Sequence, residues 1–194
     1  MTITSATKLP LAFGKFNVKY HVTPYGEVVS FSLRSYRKIT PIVRLHSSCL
    51  FGESFLSKDC DCREQLHMSL KKIKVHGSGV VIYGFQEGRG IGLNNKIKAI
   101  QSEHSKGLDT VEAFKELGFA PDLREYDAMI AALNDLKISK DIYLITENPN
   151  KIKNLEKAGY RIKKILKLRI KVNRYNRKEL LAKKNKLNYA IKIN

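Results

Sequence analysis

Val80-Val81-Ile82-Tyr83-Gly84-Phe85-Gln86-Glu87-Gly88-Arg89-Gly90-Ile91-Gly92 runs four apolar residues directly into a glycine-rich turn. A short, unbroken apolar run bounded by glycine reads as a buried strand. The three glycines after Glu87 indicate a backbone that must approach something closely. Downstream, helical spacing recurs over about 94–105, 110–117 and 124–136, and 141–145 reads as another strand. Asn148-Pro149 places a proline at the start of a helix through Leu155, which Gly159 ends. Upstream, Leu66, Leu70 and Ile73 fall at helical spacing, with Asp61 as a cap and Gly77 and Gly79 as the stop. Strands alternating with helices predict an α/β fold, a single domain with a mixed β-sheet flanked by helices.

The N-terminal stretch alternates apolar and polar residues, as in Lys15-Phe16-Asn17-Val18-Lys19-Tyr20 and Val28-Val29-Ser30-Phe31-Ser32-Leu33, which is the period-two signature of half-buried strands. Pro24-Tyr25-Gly26 supplies the turn between them. Ile42-Val43-Arg44-Leu45 reads as a strand ending in His46-Ser47-Ser48-Cys49, followed by a loop over 51–58. Residues 160–172 read as extended and 177–189 as a basic terminal helix. The expected division is a domain over 1–172 and a basic C-terminal helical segment over 173–194.

At 194 residues and 43% hydrophobic, the chain can bury one sizeable core. No apolar run reaches the roughly 20 residues needed to cross a bilayer, and MTITSATKLPLAFG lacks a basic start followed by an apolar stretch. The expectation is a cytoplasmic protein with no membrane partner. Net charge is +18, and from Lys151 onward sixteen basic residues face only Glu156 and Glu179. Such an excess suits polyanionic partners, although a solvated basic face has the same composition.

The three cysteines, Cys49, Cys60 and Cys62, are too few and too clustered for a disulfide framework. Three protein ligands suit a catalytic zinc, which keeps a fourth tetrahedral position for water and lowers that water's pKa to roughly 7. Asp61, between two of them, is expected to face solvent or the helix N-terminus. His46 as a fourth ligand makes a closed, structural site instead, and three buried thiols without metal are a third reading. Three further features point to a nucleotide. A carboxylate at Glu87 can accept both N1–H and N2–H of guanine. Arg44, Arg89 and Lys151 are cations near strand ends or loops, where phosphates bind. Asp122 and Arg124 bracket the start of an expected helix, a natural place for an anion.

Taken in order, Val43-Arg44-Leu45-His46-Ser47-Ser48-Cys49, Asp59-Cys60-Asp61-Cys62, Gln86-Glu87-Gly88-Arg89-Gly90-Ile91-Gly92-Leu93, Asp109-Thr110-Val111-Glu112-Ala113, Leu117-Gly118-Phe119-Ala120 and Thr146-Glu147-Asn148-Pro149 resemble the GTP cyclohydrolase II family. That resemblance implies a zinc enzyme that opens the imidazole ring of GTP at the start of riboflavin synthesis. It implies Cys49, Cys60 and Cys62 as zinc ligands, and Arg44, Leu45, His46, Ser47, Ser48, Gln65, Glu87, Gly88, Arg89, Thr110, Thr146 and Lys151 as nucleotide-binding positions. Asp122 matches a proton acceptor, and Arg124 matches the residue that acts on the α-phosphate as pyrophosphate leaves. Mg2+ with the triphosphate and a homodimer are implied in the same way.

Three positions depart from the family pattern. Ser48 stands where glutamate is usual, Arg63 where glycine is usual, and Ile100 where a tyrosine is expected, with one additional residue before Gly107. The rival readings are a divergent cyclohydrolase acting on another guanine nucleotide in a specialised pathway, and a zinc-stabilised nucleic-acid-binding module. The second draws on the basic C-terminus but is not favoured, because nothing there resembles a known nucleic-acid-binding motif.

Overall fold

The computed structural model describes residues 5–34 and 39–193. The first four residues of the N-terminal stretch read above for a leader, and Asn194 of the basic segment, lie outside the described residues. The chain forms two compact units, each assembled from separated stretches: Met1–His46, Gln65–Phe85 and Tyr126–Arg169 in the first, and Ser47–Glu64, Gln86–Glu125 and Ile170–Asn194 in the second.

The first unit is built on a seven-stranded sheet in the order β1-β2-β3-β5-β4-β6-β7. β1 (Ala6–Leu11), β2 (Gly14–Thr23) and β3 (Gly26–Arg34) form an antiparallel meander, and β5 (Ser78–Gly84) pairs antiparallel with β3. β4 (Ile42–Ser47), β6 (Asp141–Ile145) and β7 (Arg161–Leu166) run parallel, so the sheet is mixed, as the sequence indicates. The turn before β3 closes through Thr23, whose hydroxyl donates to Gly26 O at 2.7 Å and accepts from Tyr25 N at 3.1 Å. At Gly79 a side chain is impossible: a Cβ there would lie 2.3 Å from the Ile42 carbonyl oxygen.

Most of α2 (Cys62–His76), together with α5 (Asp127–Asp135) and α6 (Pro149–Lys157), belongs to this unit. α5 buries Met129, Ala132 and Leu133, which share one face at spacings of three and four, in a core with Val43, Leu45, Val80, Ile82, Ile142, Leu144 and Leu155. Each fully buried aliphatic side chain contributes about 1.5–3 kcal/mol. Asn148 caps α6, its side chain accepting from Asn150 N at 2.8 Å, with Pro149 in the first turn as expected.

The second unit contains α1 (Leu50–Glu53), a 3-10 turn over Glu87–Gly90, α3 (Gly92–Lys106), α4 (Thr110–Glu116) and α7 (Arg177–Lys186). Asp109 and Glu112 form a reciprocal capping box at the start of α4. Ile91, Ala99, Ala113 and Phe114 form the apolar cluster between α3 and α4. Several expected bounds shift: the loop expected over 51–58 opens inside α1, and the terminal helix expected over 177–189 ends at Lys186. The helix expected from Arg124 starts only at Asp127, and the extended stretch from 160 ends as a strand at Leu166. Among the described residues no helix is long and apolar enough to cross a membrane.

Candidate active site

In the second unit Cys49 precedes α1, Cys60 ends the following loop and Cys62 opens α2. Their sulfur atoms all lie within 4.8 Å of one another, with Cys49 and Cys60 at 3.6 Å. Among the described residues these three are the group of His, Cys, Asp and Glu side chains close enough to share an ion. A tetrahedral zinc with bonds of about 2.3 Å sets its thiolates roughly 3.8 Å apart, so the donor set and its spacing fit that metal. The Cys49 thiol is pulled well below the usual thiol range, first by hydrogen bonds from Cys60 and Cys62 and further by the Lys96 charge. Hydrogen bonding to Cys49 pushes Cys60 up to about 12, and hydrogen bonds with Cys49 and Cys60 raise Cys62 well above its usual value. A cation that takes all three as thiolates must therefore displace the protons of Cys60 and Cys62.

The cradle is closed by Gly52, where a Cβ would stand 2.6 Å from Cys60 Sγ and 3.2 Å from Cys49 Sγ. Gly52→Ala is expected to lower zinc affinity by roughly 10- to 100-fold, the scale of displaced outer-shell support. Chelator competition measures it, and wild-type affinity in the variant would show that the thiols do not need this space.

Glu87 lies in the glycine-rich turn and is tied to the same group. Its Oε2 accepts from Leu50 N at 2.9 Å, one residue after Cys49, and its Oε1 accepts from Lys96 Nζ at 2.5 Å. Lys96 also reaches Cys49 Sγ at 3.2 Å. Burial works against the charge on Lys96, but Glu87 and Cys49 outweigh it and hold the ammonium above its ordinary value. Nothing in the sequence reading singled out Lys96; its signal is its place one turn after Gly92 on the helix that the glycine turn opens. Gly88 and Arg89 both take left-handed backbone, φ 59° and 53°. For Arg89 this strain is of order 1 kcal/mol or more. It is held there by its bond to the Thr110 hydroxyl and by stacking 4.3 Å from the Phe114 ring centroid. Burial lowers its pKa.

Asp122 and Arg124 do not bracket a helix start. They precede α5 and grip each other, Arg124 Nε donating to Asp122 Oδ1 at 2.8 Å and Nη2 to Oδ2 at 2.5 Å. Burial opposes the Asp122 charge, but Arg124 outweighs it and holds the carboxyl below its usual range. Asp61 does not face solvent either. It is 1% exposed and receives Lys183 Nζ of α7 at 3.3 Å, while Lys183 also pairs with Glu179 at 2.5 Å. Breaking such a buried pair from one side costs about 3–5 kcal/mol. Ser47 Oγ donates to Gln86 Oε1 at 3.4 Å, and Ser48 is half-buried.

In the first unit the remaining candidates gather where β4 and β6 end. Arg44 donates to Ile145 O at 3.2 Å and to the Gln65 side chain. Lys151 of α6 donates to Leu45 O at 2.7 Å. Thr146 is buried, its hydroxyl accepting from Asn148 N at 3.1 Å, and His46 stacks on Tyr83 with ring centroids 5.6 Å apart. The carboxyl ends of parallel strands are where open α/β sheets bind ligands.

The chain is thus an α/β protein with a mixed sheet, polar groups at its strand ends, and a three-thiol group that could hold a metal ion, tied to a carboxylate in a glycine turn. The GTP cyclohydrolase II family model matches residues 2–167, and the chain belongs to that family. It is 48% identical over 151 residues to the riboflavin biosynthesis protein RibBA of Endomicrobium trichonymphae, covering 78% of this chain and 37% of that protein. To RibBA of Bacillus subtilis it is 41% identical over 187 residues, covering 94% and 46%. To the GTP cyclohydrolase-2 of Archaeoglobus fulgidus it is 42% identical over 195 residues, covering 99% and 50%. The chain thus spans half or less of the length of these relatives.

Proposed function

We propose that the chain is a zinc-dependent hydrolase that opens the imidazole ring of GTP and releases pyrophosphate, with formate release slow. The observation that carries this reading is Glu87, a carboxylate bonded to the residue after Cys49 and to a lysine that also touches Cys49. A base bound by Glu87 is thereby tied to the metal ligands. Cys49, Cys60 and Cys62 hold the zinc, which when bound supplies an activated water as nucleophile. The carboxylate of Glu87 has about four acceptor sites, so it can keep Leu50 and Lys96 while accepting N1–H and N2–H of guanine.

Arg44, Leu45, His46, Ser47, Ser48, Gln65, Gly88, Arg89, Thr110, Thr146 and Lys151 are proposed to contact the nucleotide, with Mg2+ accompanying the triphosphate. Arg124 stabilises the charge that develops as pyrophosphate leaves, since a guanidinium with a pKa above about 12 is a poor nucleophile. Asp122, held ionised by Arg124, accepts a proton once phosphate competes for the guanidinium. The family likeness and the names of the relatives support a place in riboflavin synthesis, the likeness alone supports a homodimer, and a cytoplasmic location is proposed with that pathway.

Purified protein incubated with GTP, zinc and magnesium should yield pyrophosphate and a ring-opened pyrimidine by mass spectrometry; intact GTP would remove the reading. Glu87→Gln should lower kcat/KM for GTP by roughly 100-fold, because its amide sets a donor against a guanine donor, and should leave ATP turnover low. Steady-state kinetics on both nucleotides check this, and equal use of ATP and GTP by the native protein refutes the role of Glu87.

A further inference from the structure

The basic C-terminal segment starts after the stretch matched by the family model, which stops at residue 167, and its composition alone suggests a solvated tail. Its contacts are of another kind. Lys178 donates to Gly107 O, Lys183 pairs with Asp61 between Cys60 and Cys62, and Lys186 pairs with Asp109 and with Glu112 at 2.8 Å. Past α7, Tyr189 N donates back to Lys183 O at 3.1 Å, which fixes the direction of the chain. The Tyr189 hydroxyl then accepts from Arg124 Nη2 at 2.6 Å. Both hydrogens of Nη2 are thus committed, one to Asp122 Oδ2 and one to Tyr189, while Nε on the same edge donates to Asp122 Oδ1.

We propose that the C-terminal segment is a working part of the site, and that Tyr189 is a positioning residue that sets the plane of the Arg124 guanidinium. A carboxylate alone lets a guanidinium rock about their shared axis; a third bond from Nη2 to a hydroxyl off that axis stops the rocking. The inference rests on the reading of Arg124 as the group at the leaving phosphate. Reaction rates fall steeply when such a group is misplaced, by as much as about 100-fold for 1 Å. A phenol that accepts from Arg124 also keeps its own O–H to donate, so it suits an anion held beside the guanidinium. Nearby, Arg89 Nη1 is buried with no hydrogen-bond partner among the described residues, a second donor that an anion can satisfy.

The test uses the full chain with Tyr189→Phe, Arg124→Ala and the double variant, and Tyr175→Phe as a control at an exposed tail tyrosine. Pyrophosphate release from GTP should fall roughly tenfold in Tyr189→Phe through kcat, with KM and zinc content near wild type. In the Arg124→Ala background the same change should have no further effect, because the hydroxyl then has nothing to orient. An undiminished rate in Tyr189→Phe, or an equal further loss in the double variant, overturns the proposal. Amide exchange over 184–193 supplies a readout independent of activity: Arg124→Ala should speed it, and Tyr175→Phe should not. If the native protein releases no pyrophosphate from GTP, the functional reading falls. The exchange result then decides the anchor alone, faster exchange in Arg124→Ala upholding it and unchanged exchange overturning it.

Discussion

Cys60→Ser is expected to reduce zinc from about one ion per chain to a small fraction and to cut ring opening by more than about 100-fold. Loss of an outer-shell partner already costs about 10- to 100-fold, and here a soft charged donor is replaced by a neutral oxygen. The variant should remain folded, because the apolar cluster of Ile91, Ala99, Ala113 and Phe114 does not include the thiols. Metal analysis, circular dichroism and product formation on one preparation separate loss of metal from loss of fold. Wild-type turnover in the zinc-free variant would remove the thiols from the mechanism.

Ile100→Tyr is expected to raise the yield of formate by roughly 100-fold, the usual contribution of a positioned general acid. Opening the ring adds one water at C8 and leaves a formamide; releasing formate adds a second water to that same carbon and expels an amine that needs a proton. Ile100 lies one helical turn after Lys96 on α3, on the same face, and lines a pocket of about 270 Å³ with Phe51, Phe55, Ser57, Asp59 and Ile97. α3 is unbroken from Gly92 to Lys106, so the additional residue before Gly107 does not rotate Ile100 relative to Lys96. None of Tyr126, Gln101 and His104 stands in for the missing hydroxyl: that of Tyr126 lies in the core of the first unit and accepts from Asn148 at 3.2 Å, and Gln101 and His104, on the same helix as Ile100, are exposed. The native protein should therefore accumulate a formamidopyrimidine nucleotide, with formate lagging pyrophosphate throughout the time course. Formate equal to pyrophosphate at every time point would sink this, and an unchanged yield in Ile100→Tyr would show that the limit lies elsewhere.

The strands and helices that bury apolar residues are legible in the sequence because periodicity records burial: Val80-Val81-Ile82 is a core strand, and Met129, Ala132 and Leu133 mark the inner face of α5. β1 is not singled out, since Ala6–Leu11 is exposed along most of its length and is held by its register with β2. α7 is legible as a helix but not as a docked one. Besides burying Leu180 and Ala182, it is tied down through Lys178, Lys183 and Lys186, which reach Gly107, Asp61, Asp109 and Glu112, far away in the chain. The same reason hides Asp61, whose burial depends on a lysine 122 positions later. The three thiols are legible because their ligand spacing is local. Lys96, Gly52 and Tyr189 are not, because each matters only through what the folded chain sets beside it.

The chain passes from one compact unit to the other at 46–47, 64–65, 85–86, 125–126 and 169–170, so neither unit corresponds to a continuous stretch of polypeptide. A single cut in the coding sequence cannot free either one whole, and exchange by recombination at one point would transfer fragments of both. An exchange that keeps both units whole must therefore carry the entire region as one block. Shuffling can place it before or after other domains, but refinement of its halves must proceed by substitution within them.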